Sequence, residues 1–371
     1  MTKRRLWVIS ELFYPEQTST GYFLSEIARG LADRWDVKVV CAQPTYSERG
    51  IVAPRYEQWH GVEIHRVRCA RFDKDRLPLR VMNLLTFTFS SLLFLLQKMR
   101  RGDFVLIVTN PPALYPFVGL LARFKGARSS LLVHDVYPNV LAATGHLGRQ
   151  SALFRLLDRF LSSAARQYDR IVVLGRDMQA LIQSKTGMPT SQIVIIPNWG
   201  DTELVSPTPR AENSFARRHG MGDCFTVQFS GNIGRTHDVE TILTTSQSTS
   251  ERKDIQYWFI GYGGKQALLR RENSDARSNV FVLPRQPKED LGEMLASADV
   301  LVIAFVPGMK GLSVPSRMYN VMAAGTPIIA MTEPGSELAL VVEESDCGWV
   351  IPPNDPNALT RLILELATPQ G

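Results

Sequence analysis

Cysteine is scarce in this chain of 371 residues: Cys41, Cys69, Cys224 and Cys347 stand far apart, with no Cys-x-x-Cys pair. Such spacing excludes a disulfide framework and a zinc finger, and leaves buried free thiols in a reducing compartment. No His/Cys cluster has the spacing of metal ligands. Internal repeats and low-complexity tracts are absent. The dinucleotide fingerprint Gly-x-Gly-x-x-Gly is missing, and Ser162 and Ser163 lack the Gly-x-Ser-x-Gly elbow of a hydrolase nucleophile. No RNA-binding signature or Arg-rich tail occurs, so nucleic acid is not an expected partner. The basic start, Thr2–Arg5, leads into the short run Leu6–Ile9 and then Glu11, which is no signal peptide; a cytoplasmic location is expected. Acidic residues are outnumbered, 36 against 42 Lys and Arg, giving a net charge of +6. That balance suits phosphorylated small molecules or an anionic membrane surface.

The length suits two domains, and 44% hydrophobic with 21% charged residues is the composition of a soluble globular protein. Short apolar strands are read at Leu6–Ser10, Val37–Ala42, Val62–Val67, Phe104–Thr109, Ser130–Val133, Arg170–Leu174 and Ile193–Ile196, with helical periodicity between most of them. The pattern pauses at Pro197–Asp201 and Ser206–Pro209, then restarts at Cys224–Ser230. It continues through Gln256–Ile260, Val280–Leu283, Val300–Ala304, Pro327–Ala330 and Trp349–Ile351. Continuous apolar strands joined by helices predict parallel sheets covered on both faces. The fold class is therefore α/β: two doubly wound Rossmann-like domains, 1–198 and 199–371, facing one another across a cleft where such folds bind ligands.

One segment departs from this pattern. Val81–Leu96 is almost uncharged, dotted with Asn, Thr and Ser, and flanked by Arg76, Arg80, Lys98, Arg100 and Arg101. A bilayer span needs about 20 apolar residues, and this run is shorter. Three readings stand: a helix packed in the core, a membrane-surface helix with basic flanks, and a span.

The densest chemistry lies in Gly311–Ala330. Pro315 suits the first turn of a helix, where no N–H is needed. Ser316 and Arg317 would then place a hydroxyl, a guanidinium and unpaired backbone N–H groups together, an arrangement that binds phosphate. Two glycine-rich turns follow strands in the same half. Phe229–Asp238 contains Gly231, Asn232, Gly234, Arg235 and His237; Phe259–Gly264 contains Gly261. Each turn alone reads equally as a tight strand–helix connection. His134-Asp135 closes another strand, as a site or as a structural turn. Asp73-Lys-Asp75 has the form of a metal-binding Asp-x-Asp but sits in a charged loop, where a solvated turn is the simpler reading. Glu343-Glu344 reads as an exposed helix end.

Together these marks resemble the retaining glycosyltransferases of the GT-B fold, family 4, in the branch that builds bacterial capsule, O-antigen and exopolysaccharide. The likeness runs from Leu6 to about Leu366. It rests on Phe13-Tyr-Pro-Glu16 with Gly21, Thr109-Asn-Pro-Pro112, His134–Pro138, Ile196–Trp199, Phe229–Arg235 and Val314–Arg317 through Gly325. The resemblance implies an NDP-sugar donor, with UDP favoured, and a saccharide or lipid-linked saccharide acceptor. It implies no cofactor and no metal, and a place in the cytoplasm or peripheral on the inner face of the plasma membrane. Gly231, Asn232, Gly234 and His237 would approach the diphosphate, with Gly261, Ser313, Val314 and Ser316; Pro284 and Arg285 would line the base and Asn320 the ribose. His134, Asp135, Arg235 and Arg317 would carry catalysis, and Ser19, Thr20 and Gly21 would hold the acceptor. Departures from the family pattern are Asn320 in place of Glu, Asn232 and His237 in place of Arg and Lys, and Asp238 in place of Gly. Relatives usually continue beyond the helix Pro356–Leu366 with one that crosses back, so looser closure is expected. A sugar-nucleotide epimerase and a catalytically weak partner subunit are the alternative readings.

Overall fold

The computed structural model describes residues 3–44, 51–72, 77–273 and 278–368. Asp73-Lys-Asp75 and Arg76 lie outside the described residues. The chain divides into two compact units: 1–139 with 147–197, and 140–146 with 198–371. The division thus falls between Pro197 and Asn198, one residue before the expected boundary, and Val140–His146 belongs to the second unit.

The first unit runs β1 (Arg4–Ile9), α1 (Ser19–Leu31), β2 (Trp35–Cys41), β3 (Tyr56–Trp59), β4 (Val62–Arg66), α2 (Leu77–Lys98), β5 (Phe104–Val108), α3 (Tyr115–Lys125), β6 (Arg128–Val133), α4 (Asn139–Ala143), α5 (Ala152–Ala165), β7 (Arg170–Val173), α6 (Arg176–Thr186) and β8 (Ile193–Ile195). Its eight strands lie in the order β3-β4-β2-β1-β5-β6-β7-β8, parallel except for β3. The β3–β4 hairpin turns through His60 and Gly61, both with positive φ (44° and 78°), the conformation of a type I′ turn. The central strands bury Val8, Ile9, Val39, Val40, Ile107 and Val108. Each such side chain contributes roughly 1.5–3 kcal/mol when fully buried. Crossovers through α2, α3, α5 and α6 all lead the same way across the sheet. Their right-handedness therefore stacks these helices on one face, with α1 on the other.

The second unit runs α7 (Ser214–His219), β9 (Phe225–Asn232), α8 (Val239–Ser248), β10 (Ile255–Tyr262), α9 (Gln266–Asn273), β11 (Val280–Leu283), α10 (Leu291–Ala296), β12 (Val300–Ala304), α11 (Arg317–Ala323), β13 (Ile328–Met331), α12 (Glu337–Glu344), β14 (Gly348–Ile351) and α13 (Pro356–Leu366). Its six strands are all parallel, ordered β11-β10-β9-β12-β13-β14. Val227, Phe229, Tyr257, Phe259 and Val302 form the core with Leu359 and Ile363 of α13. Each strand read from the sequence is present to within two residues at either end; β3 was not anticipated.

Helix α2 is not a buried core helix. Phe87, Leu95, Asn83, Thr88 and Ser91 face inward, whereas Leu85, Phe89, Leu93 and Leu96 are exposed. Helix α11 begins at Arg317, two residues later than Pro315 suggested, and ends at Ala323; Gly325, two residues on, makes the left-handed stop with a φ of 69°.

Candidate functional site

Parallel strands deliver their carboxyl ends to one edge of a sheet, and each unit gathers its polar chemistry there. In the first unit the edge is built by β1, β5 and β6. Thr18 caps α1 by accepting from Gly21 N at 3.2 Å, which fixes Ser19 and Thr20 in the first turn. A Cβ at Gly21 would stand 2.6 Å from Glu16 O, so glycine is required there for space. Thr109, just past β5, accepts from the backbone N–H groups of His134 and Asp135 at 3.2 and 3.3 Å. His134 is buried, and its Nδ1 lies 3.2 Å from Thr20 Oγ1. Burial holds its pKa down to about 4, so the ring is neutral at physiological pH. Its Nε2 is buried without a partner among the described residues, a cost of about 1–3 kcal/mol unless a ligand supplies one. Thus His134 and Thr20 come together, with Asp135 and Ser19 alongside in sequence.

In the second unit the edge carries the ends of β9, β10, β11 and β12. Gly231 and Gly261 are opposite one another in the β9–β10 ladder. A Cβ at Gly261, where φ is 144°, would fall 1.9 Å from Gly231 O, so this glycine serves the backbone approach. Arg317 reaches back from α11 to this point. Its Nη1 donates to Ser230 O at 2.7 Å, its Nη2 donates to His237 Nε2 at 2.9 Å, and the guanidinium lies 4.8 Å from the Phe229 ring centroid. A Cβ at Gly231 would meet the guanidinium carbon at 3.4 Å, so the cation rests against the bare backbone. Burial lowers the Arg317 pKa to about 10, which leaves it charged.

His237, expected near the diphosphate, meets Arg317 in the structure and holds its guanidinium. An arginine can only donate, so His237 Nε2 must be the unprotonated nitrogen. Burial first, then the charges of Arg317 and Lys265, hold its pKa well below the ordinary value. The ring stacks on Phe305 at 5.8 Å and 14°. Arg235 donates from Nη1 to His146 Nε2 at 2.7 Å, with Thr144 Oγ1 at 3.0 Å from Nδ1 of that ring. Asn232 ends β9, and Gly234 follows it in the turn. Pro284 and Arg285 are exposed at the end of β11, the edge strand, and Ser313 and Val314 precede α11.

The departures from the family pattern have structural roles. Asp238 caps α8: Oδ1 accepts from Thr241 N at 3.2 Å, and Oδ2 from Thr241 Oγ1 and Asn354 N, both at 2.8 Å. Asn320 Oδ1 accepts from Asp201 N at 2.8 Å and so pins the backbone that enters the second unit. Ser316 is the cap residue of α11, and its side chain makes no capping hydrogen bond. Sequence reading missed Lys265, whose Nζ donates to His237 O and Glu240 Oε2, both at 2.7 Å. Its position after Gly261–Gly264 was the available signal. His146 gave none, being 89 residues from Arg235 in the chain. Among the described residues no group of three or more His, Cys, Asp and Glu side chains could hold a metal ion.

Two parallel-sheet α/β units, each with a polar array on its carboxyl edge, define a protein of the GT-B glycosyltransferase class. Residues 20–199 match the family described as Glycosyl transferase 4-like domain, and 224–368 match Glycosyl transferases group 1. The chain is 35% identical to the probable glycosyltransferase WbjE of Pseudomonas aeruginosa, over 98% of this chain and 89% of that one. It is 25% identical to the colanic acid biosynthesis glycosyl transferase WcaI of Escherichia coli (strain K12), over 89% and 84%. The fold is shared with Alr3699/HepE of Anabaena, solved with UDP, at a TM-score of 0.67 and 13% identity over 98% and 89%. The chain belongs to the family 4 glycosyltransferases of polysaccharide biosynthesis.

Proposed function

We propose that the protein transfers a sugar with retention of configuration from an NDP-sugar, UDP-linked by preference, to a saccharide acceptor carried on a lipid, in the cytoplasm. The observation that carries this reading is the Arg317 guanidinium, fixed by Ser230 O and His237 Nε2 against the glycine backbone at the end of β9. Its remaining N–H groups are the donors for a diphosphate. Helix α11 has seven residues, and the dipole of an exposed terminus contributes about 0.3–1 kcal/mol. One donor to a developing oxyanion contributes about 2.7–4 kcal/mol, so the arginine outweighs the helix. When the glycosidic bond breaks, charge builds on the leaving diphosphate oxygen, and Arg317 with Arg235 would neutralise it. If the acceptor attacks from the same face, that oxygen can take the acceptor's proton, and the reaction needs no separate strong base. Neutral His134 suits this scheme, since its unpaired Nε2 would accept from an acceptor hydroxyl and orient it. The UDP complex of HepE supports the choice of nucleotide only as precedent within the fold.

Against the partner-subunit alternative stand the hydrogen bonds of Asp238, Asn320 and His237, which give each a structural role that leaves Arg317 in place. The test is release of nucleoside diphosphate from UDP-, GDP- and TDP-sugars, with and without a saccharide acceptor. Slow hydrolysis of one donor class is expected. Release from none of them would refute the reading.

A further inference from the structure

The turn that follows β9 sends two residues of the cation site in opposite directions. His237 N donates to Gly234 O at 3.1 Å, which closes a β-turn with Arg235 at its first central position. Val306 N donates to Thr236 O at 3.0 Å and pins the turn to the chain beyond β12. His237 is buried and supports Arg317, whereas Arg235 is exposed. An exposed arginine samples many rotamers, and ordering such a side chain at the moment of binding lowers affinity. Arg235 is ordered beforehand, because its Nη1 lies 2.7 Å from His146 Nε2.

The imidazole of His146 is arranged to accept. The residue closes the segment Val140–His146, which belongs to the second unit although residues of the first flank it on both sides in the chain. Gly145 N donates to Ala142 O at 3.1 Å, and His146 N donates to Leu141 O at 2.8 Å. With Gly145 at a φ of 75°, this is the Schellman stop of α4, and it fixes the backbone of His146. Thr144 then sets the ring. Its hydroxyl has one proton, which it directs to Val140 O at 2.8 Å and shares with Leu141 O at 3.3 Å. Toward His146 Nδ1, 3.0 Å away, Thr144 Oγ1 is therefore the acceptor, and Nδ1 carries the ring proton. Nε2 keeps its lone pair, which is what an arginine, a donor only, requires. The tautomer is thus fixed from both ends, by the threonine and by the arginine.

Arg317 is held in the same way, since its Nη2 donates to His237 Nε2. The two arginines assigned to the diphosphate each rest on an imidazole that accepts at Nε2, and the Gly234–His237 turn links the two pairs. A carboxylate at position 146 would neutralise the guanidinium and compete with a phosphate for it. A neutral ring fixes the direction of Arg235 and leaves its charge to a ligand. Beyond the bond to His146, the N–H groups of Arg235 have no partner among the described residues. We propose that His146 is a positioning residue of the donor site, holding Arg235 so that its unused N–H groups meet the diphosphate of the sugar nucleotide. The inference rests on the reading of Arg235 as a diphosphate cation and adds the residue that aims it.

Titration calorimetry of UDP into the full chain tests it, with GDP or TDP used instead if one of them binds the wild type more tightly. His146→Ala should weaken binding by about three- to tenfold, the range for ordering one such side chain. His146→Gln, whose amide oxygen can replace Nε2 as acceptor, should bind like the wild type. Thr144→Val should weaken binding in the same direction and by less. Added to Arg235→Ala, His146→Ala should bring no further loss, because it acts through that arginine. Both side chains are exposed, so thermal unfolding should stay unchanged throughout. A loss in His146→Ala that His146→Gln shares, or that adds to the loss in Arg235→Ala, would overturn the inference. Unchanged binding by His146→Ala would do the same, and tighter binding would show that His146 withholds Arg235 instead. If Arg235→Ala leaves the affinity intact, the role given to Arg235 fails and this inference with it. If the wild type binds none of the three nucleotides, the nucleotide reading itself fails, a result distinct from all the others.

Discussion

Of the large hydrophobic side chains exposed among the described residues, twelve sit on α2, α3 and α5 of the first unit, while the second unit contributes only Trp199 and Trp349. The two units share a largely parallel sheet and a polar carboxyl edge, yet they distribute their apolar side chains differently. The second turns its large apolar residues inward, and at its carboxyl edge Arg317 is held by the Ser230 carbonyl and a neutral imidazole. The first builds its edge around an uncharged histidine and spends apolar surface on its outer helices. On the proposed reading, a diphosphate needs a fixed cation, and an incoming hydroxyl needs a neutral hydrogen-bond acceptor.

The contrast would break most visibly at Arg317. Arg317→Ala should reduce kcat/KM by about 10²–10³-fold, the usual cost of one lost oxyanion donor, read from initial rates of nucleotide release. Arg317→Lys should recover little, because a single ammonium cannot bridge Ser230 O and His237 Nε2 while also meeting a ligand. Removing the support instead, His237→Ala should lower kcat/KM by about tenfold and leave α8 in place, since charge-assisted hydrogen bonds contribute about 1.5–3 kcal/mol and only one of the arginine's contacts is lost.

Titration sharpens the histidine side of the comparison. The folded pKa of His134 is about 4 against an ordinary 6.5, so between those values the unfolded chain binds more protons. Stability is then fully present above about pH 6.5 and is lost as pH falls toward 4. Denaturant unfolding at pH 7 and pH 5 should differ by about 2 kcal/mol from this group, with His237 acting in the same direction. His134→Gln should flatten that dependence, and an unchanged slope would remove His134 as its source. The smallest effect belongs to Asp238. Asp238→Ala should cost about 1 kcal/mol of stability through the lost cap, with UDP affinity unchanged; a fall in affinity would show that this cap also shapes the nucleotide site.

Much of the framework was legible because buried parallel strands are continuous apolar runs, as in Val300–Ala304, which is buried throughout. Tyr56–Trp59 escaped notice because an antiparallel edge strand with Glu57 and Gln58 shows no such run. The start of α11 was misplaced because Pro315 permits a first turn without compelling it. In α2 the Asn, Thr and Ser residues read as interruptions of an apolar run, whereas Asn83, Thr88 and Ser91 share its packed face with Phe87 and Leu95; an apolar sequence does not say which side meets the protein. Residue types singled out Arg317, Gly231 and His134 as candidates. What they do depended on long-range partners. Asn320 pairs with Asp201, 119 residues away, and Arg317 with His237, 80 residues away, and no local pattern encodes either contact.

The central claim is that Arg317 organises a nucleoside diphosphate site in the second unit. Titration calorimetry of UDP, GDP and TDP into the wild-type protein and the Arg317→Ala variant tests it most directly. The account predicts that at least one nucleotide, UDP foremost, binds the wild type and binds the variant at least tenfold more weakly. Binding of none of them, or equal affinity for both proteins, would contradict it.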